Sequence, residues 1–281
     1  MLVPLAGGGQ ETLLSEVGFV LLPLFTTAEA CALRLVCREF LAAVTEHAWE
    51  DRRTVIKGSI AAWRACFPCA RCANVQFYDW GNGRNRRAAP VVDADFVHFE
   101  GLRELYMDSC RDVTDAAFAH LHEIHTLDMS GCNQQAITDA AFAHLAGIQR
   151  LCIRFCSQDT ITDAAFAHLR GIQLLNMGGC RQLTDAAFVH LRGIHTLYMW
   201  FCYQPAITDA AFVHLRGIHT LVMDSCNQAT ITGATLSSLK GTAVLSMRNC
   251  SADAIAAAQS LGLPVFTDRI FGSLAFPPPA A

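Results

Sequence analysis

Charge is scarce in this chain. Of 281 residues only 16% are charged, below the roughly 25% of an average soluble protein, and lysine is almost missing, with Lys57 and Lys240 the only two. Low charge combined with 52% hydrophobic residues excludes disorder of the charged, apolar-poor kind. Twenty-one basic against 25 acidic side chains leave a net charge of −4 and a pI near 6.2. That balance argues against a dedicated binder of nucleic acid or anionic membrane. Long apolar runs are missing too. The longest near the start, Phe19 to Phe25, contains Pro23 and is far short of the roughly 20 residues that span a bilayer. The first ten residues, MLVPLAGGGQ, lack the basic and apolar regions of a secretory signal. A cytoplasmic or nuclear location is therefore expected, and the 13 cysteines, odd in number and regularly spaced, read as reduced thiols.

What is abundant is repetition. Thr-Asp-Ala-Ala-Phe occurs five times, starting at Thr114, Thr138, Thr162, Thr184 and Thr208. Leu-x-Met-x-x-Cys begins at Leu105, Leu127, Leu175, Leu197, Leu221 and Leu245, with Leu151-x-Ile153-x-x-Cys156 completing the series at intervals of 22 or 24 residues. The two extra residues of the longer units fall between the cysteine and the next Ile-Thr or Leu-Thr, so insertions are confined to one loop. An earlier, degenerate copy aligns Val92 to Phe99 with the helical segment and Val75, Phe77 and Trp80 with strand positions, separated by an enlarged loop, Gly81 to Pro90. After Cys250 the Thr-Asp signal is lost in an Ala-rich stretch to Leu261, as expected for a capping unit.

Within a unit the apolar period changes from two to helical. Leu105 and Met107 alternate with Glu104, Tyr106 and Asp108, the pattern of a short strand with one buried face. In the following segment Thr138 caps a short helix whose inward stripe is Ala141, Phe142 and Leu145, and Gly147 ends it. One such unit cannot bury its apolar faces alone, so the units stack into a solenoid. Upstream the pattern is purely helical. Ser15 precedes Val17, Val20, Leu21 and Leu24 at helical spacing, Thr26-Thr27-Ala28-Glu29 fits a capping box, and Leu33, Val36, Cys37, Phe40, Leu41 and Val44 continue the spacing toward Trp49.

At the strand, cysteine and Ile-Thr-Asp positions, over about residues 74 to 263, the chain resembles the cysteine-containing leucine-rich-repeat family. The resemblance implies an α/β solenoid, a curved horseshoe with a parallel concave sheet and short convex helices. The N-terminal residues Leu13-Leu14-Ser15-Glu16-Val17, Val36-Cys37-Arg38-Glu39-Phe40 and Trp49 resemble an F-box, with Leu14 in place of the usual Pro and Phe40 in place of Trp. The expected organisation is a tail (1–10), a three-helix F-box-like segment (11–57), a linker or N-terminal cap (58–73), about eight repeats over 74–264, and a C-terminal cap with a Pro-rich tail (265–281).

The resemblance further implies a substrate-recognition subunit of a Skp-cullin-F-box ubiquitin ligase, monomeric outside the complex. Its adaptor contact would centre on Leu13, Leu14, Glu16, Val17, Leu21, Leu35, Val36 and Phe40. A protein substrate would meet the strand positions that vary between units: Tyr106, Asp108, Asp128, Arg154, Asn176, Tyr198, Trp200, Asp224 and Arg248. A repeat scaffold without any ubiquitin connection, its helical block covering the first strand, fits the same pattern. Lysine scarcity would limit self-modification beside a ubiquitin-transferring enzyme; compositional drift explains it equally simply.

Other constellations are weaker. The seven repeat cysteines from Cys110 to Cys250 would form a metal or redox ladder or, as the simpler reading, small buried hydrophobes filling a turn. His98, His120, His144, His168, His190 and His214 recur on the helical segment and read as convex-face residues copied with the unit. Cys66-x-x-Cys69-x-x-Cys72 has metal-like spacing, but its fourth ligand, His47 or His98, would have to come from elsewhere. Residues 50 to 90 carry eight basic against three acidic side chains, including Arg84, Arg86 and Arg87, read as a solvated loop or a dock for an acidic patch. No catalytic triad, phosphate loop or carboxylate pair stands out, so no enzyme activity, cofactor or metal is expected.

Overall fold

The computed structural model describes residues 21–52, 54–76, 78–79, 84–85 and 89–268. The adaptor candidates Leu13, Leu14, Glu16 and Val17, the strand candidates Phe77 and Trp80, Arg86 and Arg87, and the 269–281 tail lie outside the described residues. The chain forms an α/β leucine-rich-repeat solenoid. Nine short strands make one all-parallel sheet in sequence order: β1 (Cys72–Asn74), β2 (Glu104–Tyr106), β3 (Thr126–Asp128), β4 (Arg150–Cys152), β5 (Leu174–Asn176), β6 (Thr196–Tyr198), β7 (Thr220–Val222), β8 (Val244–Ser246) and β9 (Val265–Phe266). Register is uniform: Leu105, Leu127, Leu151, Leu175, Leu197, Leu221 and Leu245 pair in one row.

Each of β1 to β8 is followed by a short α- or 3-10 helical segment on the other side of the core, such as Asp139–Ala143 or Asp163–Leu169. Thr138 Oγ1 accepts from Ala140 N–H at 3.1 Å, and the same cap recurs at Thr114, Thr162, Thr184 and Thr208. Between sheet and helices lie the row of leucines, the row of methionines and a column of phenylalanines, Phe96, Phe118, Phe142, Phe166, Phe188 and Phe212, all fully buried. The longer units place a two-residue turn, Gln135–Ala136 in one case, in the loop where the sequence spacing located the insertion. That turn supplies Ala136 O as acceptor for Asp115 N–H at 3.1 Å, and Thr160, Ala206 and Thr230 do the same for later units.

Two ladders that the sequence reading did not assign join one unit to the next. The aspartate of each Thr-Asp accepts from both the N–H and the hydroxyl of the following unit's threonine, as Asp139 does from Thr162 at 2.7 and 2.7 Å; the row runs from Asp93 to Asp209. The glutamine two places after each repeat cysteine from Cys132 to Cys226, namely Gln134, Gln158, Gln182, Gln204 and Gln228, donates to the carbonyl of the preceding unit's cysteine. The glutamine bonds satisfy backbone carbonyls and the aspartate bonds satisfy threonine N–H groups that no strand reaches, so neighbouring units are latched at three levels: sheet, loop and helix cap.

The first strand sits two residues earlier than the alignment of Val75, Phe77 and Trp80 placed it. Ala73 pairs with Leu105 and Asn74 with Tyr106, which makes Ala73 and Val75 the inward positions. The segment before it is joined on: Trp49 O accepts from Arg71 and Cys72 N–H, and Ile56 N–H donates to Asn74 O. At the other end the helix Ala252–Ser260 covers the core and β9 adds a final strand.

The N-terminal helical run is divided. Helix α1 (Thr27–Leu33) opens with the expected capping box of Thr26 and Glu29, and α2 (Arg38–Glu46) begins after an extended Cys37, so Arg34 to Val36 form a turn rather than continuing the helix. With α3 (Ile60–Cys66) they enclose a separate core of Leu22, Ala30, Val44, Trp49, Phe67 and Ala70. Trp63 touches both this core and that of the repeats. Thr27 donates its N–H and hydroxyl to Asp51 at 2.7 and 2.9 Å, and Arg52 pairs with Glu104 on β2.

Candidate protein-interaction site

The concave positions differ from the open surface the sequence reading expected. Asp108, Asp128, Arg154, Asn176 and Tyr198 are buried, and Tyr106, Trp200, Asp224 and Arg248 are half-buried. Strands lie about 4.7–4.9 Å apart, so side chains on the inside of the arc crowd their neighbours. Trp200 lies over Gly178, where a β-carbon would stand 2.4 Å from the indole. Arg154 reaches across two strands to Asp108, Nη2 to Oδ2 at 3.9 Å, and Arg248 pairs with Asp224 at the same distance. Asp128 Oδ1 accepts from Ser130 N–H and Oγ at 3.0 and 2.5 Å, and Ser130 Oγ lies 3.0 Å from Cys152 Sγ.

Asp128 has a measurable consequence. Its Oδ2 is buried without a hydrogen-bond partner, and burial raises the carboxyl pKa above the usual carboxylate value, with the bonds from Ser130 opposing. A raised folded-state pKa means that the native state binds a proton more readily than the unfolded chain, so this group favours folding at low pH and loses that contribution as pH rises through the folded value. Asn keeps an acceptor for Ser130 and carries no charge. Asp128→Asn is therefore expected to melt at a higher temperature than wild type at pH 7, with the gap closing towards pH 4, in thermal scans across that range.

The largest apolar exposure near the hollow is at its rim, at positions the sequence reading passed over. The residue before each repeat cysteine adopts left-handed backbone geometry: Ser109, Gly131, Phe155, Gly179, Phe201, Ser225 and Asn249 all have φ between 57° and 77°. For a bulky L-residue this costs about 1–2 kcal/mol, yet two of the seven are phenylalanines. Both are 44% exposed, and Tyr203 beside them is 39% exposed. Phe155 and Phe201 meet Trp200 edge-on, at ring-centroid distances of 5.2 and 5.5 Å. Arg154 Cζ stands 5.9 Å from the Trp200 centroid and Arg181 Cζ 4.5 Å from that of Tyr203. The sequence signal for this cluster was aromatic residues where the other copies carry Gly, Ser or Asn.

A second exposed apolar group lies on the N-terminal block: Leu21 (43%), Leu24 (70%), Leu35 (89%), Val36 (65%) and Leu41 (40%). Phe40 is half-buried. Leu35 and Val36 owe their exposure to the turn between α1 and α2.

The repeat cysteines are buried except the half-buried Cys250, and each thiol donates to a backbone carbonyl of the preceding unit, Cys156 to Met129 O at 3.2 Å and Cys180 to Ile153 O at 3.0 Å. Burial pushes the thiols from Cys132 to Cys250 up, Cys202 and Cys250 to about 12, and disfavours the thiolate that metal ligation and alkylation both require. Cys66, Cys69 and Cys72 are half-buried, exposed and buried, and among the described residues no three His, Cys, Asp or Glu side chains gather as a metal site. Brief maleimide labelling of native protein at pH 7 is expected to modify the exposed Cys31 and Cys69 and to spare Cys110 to Cys226; peptide mass mapping reads this. The repeated histidines lie half-buried or exposed along the helical side, with His120 Nδ1 2.7 Å from Glu100 Oε1. Among the described residues no helix is long and apolar enough to cross a membrane.

No family model and no curated protein matches the chain. Solved structures with a similar fold include the Drosophila Toll–Spätzle complex, with a TM-score of 0.51, 17% identity, and coverage of 71% of this chain and 27% of that one. The TLR13–ssRNA13 complex (TM-score 0.45, 14% identity, 65% and 29% covered) and the yeast Rad7–Elc1 complex (0.44, 19%, 55% and 44%) are also similar. The chain thus spans less than half the length of each of these proteins. At such identities the likeness to Toll supports the fold alone, a leucine-rich-repeat solenoid.

Proposed function

We propose that this protein is a non-catalytic F-box leucine-rich-repeat receptor, whose N-terminal helices dock on a Skp-type adaptor of a cullin-based ubiquitin ligase while the solenoid holds a protein substrate. The observation that carries the reading is the division of labour in residues 21–52. Trp49, buried at 1% exposure, and its carbonyl anchor the block to the repeats, while Leu24, Leu35, Val36 and Leu41 are left uncovered. A block that served only as a cap would have no use for leucine at 89% exposure; an apolar patch of this kind marks a partner surface. The F-box-like order of Val36-Cys37-Arg38-Glu39-Phe40 and Trp49 supports a Skp-type adaptor as that partner.

The hydrogen bonds from Arg71 and Cys72 to Trp49 O favour a second reading, a repeat scaffold whose helical block simply closes the first strand. Retention of the full chain on purified Skp-type adaptor separates the two. Folded wild type that is not retained removes the ligase reading and leaves the scaffold.

A further inference from the structure

The middle of the concave sheet differs in charge from its flanks. Over residues 149–155, 173–179 and 195–201, which contain β4, β5 and β6, the acidic side chains are absent and Arg150 and Arg154 are the arginines; the carboxylates Glu104, Asp108, Asp128 and Asp224 belong to the strands on either side. Arg154 is 9% exposed and engaged internally, facing Asp108 at 3.9 Å. Arg181, exposed on the next loop, lies over Tyr203 with no carboxylate within 4 Å among the described residues. Arg181, held against the Tyr203 ring, thus keeps its donors free at the rim where Phe155, Trp200, Phe201 and Tyr203 present apolar surface.

We propose that this rim binds an extended segment of a protein partner that carries an aromatic or proline side chain next to acidic residues. The apolar side chain packs on the Phe155, Trp200 and Phe201 rings. A neighbouring carboxylate accepts from Arg181, whose planar fork matches it bidentately. Strained phenylalanines at two positions that elsewhere hold Gly, Ser or Asn fit a site kept for contact rather than for folding, and Trp and Arg are the side chains that most often dominate such contacts. The inference names the substrate class for the solenoid surface proposed above, rests on that reading, and is independent of the adaptor contact.

The test is selection of a displayed random 12-residue peptide library on the immobilised full chain, followed by binding measurements with a synthetic enriched peptide. The expected result is enrichment of peptides with Phe, Tyr, Trp or Pro beside Asp or Glu. Binding should fall at least tenfold on Trp200→Ala and on Arg181→Glu, recover on Arg181→Glu when the peptide's acidic residues are replaced by Lys, and stay unchanged on Val36→Asp. Because Arg181 is exposed, its substitution leaves the fold intact and keeps the test valid even if Trp200→Ala is destabilised. Absence of enrichment, enrichment of basic peptides, or equal binding to the Arg181→Glu variant would overturn the proposal; loss on Val36→Asp would place the site on the helical block instead.

Discussion

Replacing Leu35 and Val36 together with aspartate is expected, on the adaptor-docking proposal, to abolish retention on a purified Skp-type adaptor and to leave the melting temperature of the protein nearly unchanged. The two halves of this expected result have one cause. Leu35 and Val36 are 89% and 65% exposed, in a turn whose backbone is held by Leu35 N–H to Ala32 O and Val36 N–H to Leu33 O, so polar substitution removes little packing. Surface changes of this kind stay within about 0.5 kcal/mol. On docking, each side chain contributes about 1.5–3 kcal/mol when fully buried, and a carboxylate in its place must be desolvated without a partner. The combined loss exceeds about 1.4 kcal/mol several times over, and each such step is tenfold in affinity. Co-elution on size exclusion reads retention, and a parallel melt reads stability. Equal retention of variant and wild type would place the adaptor contact elsewhere.

Phe166→Ala carries the largest expected loss of stability. Phe166 is fully buried in the middle of the phenylalanine column, in the segment Asp163–Leu169. Truncating a buried Phe costs about 3–5 kcal/mol through lost transfer energy and the cavity left behind, a large share of the roughly 5–15 kcal/mol that holds a domain together. Because each unit contacts only its neighbours, the damage should spread along the stack and not through the whole molecule at once. In native-state hydrogen exchange the amides of β4, β5 and β6 lose protection before those of β8. Val189→Ala, at a residue 42% exposed on the convex side, should change urea unfolding by less than about 0.5 kcal/mol. Equal effects of the two substitutions would mean that the phenylalanine column is not the spine of the core.

How legible this molecule was depended on distance along the chain. The strand leucines, the capping threonines, the inward Phe and the two-residue insertion loop were all readable, because each reflects a period of two, a helical period or a cap within one unit. The Cys-x-Gln spacing and the aspartate of Thr-Asp were visible as recurrences, but their partners lie 21 to 26 residues away, and periodicity within a unit cannot show a bond between units. The break between α1 and α2 has neither Gly nor Pro to mark it; it follows from packing of Ala30 and Val44 into the small core with Trp49. The first strand was placed two residues late because its copy lacks the Leu-x-Met signature that sets the register elsewhere.

Sequence alone was sufficient for the architecture: a motif copied at 22 or 24 residues, each copy with one strand face and one helix face to bury, has no stable alternative to stacking. Which residues stay exposed was decided only by the tertiary structure. Strands hydrogen-bonded at close spacing crowd their side chains until Asp128, Asn176 and Tyr198 are buried by their own neighbours, while the left-handed turns after the strands leave Phe155 and Phe201 exposed to solvent. Exposure is set by what the adjacent unit places alongside, and that geometry belongs to the stack as a whole.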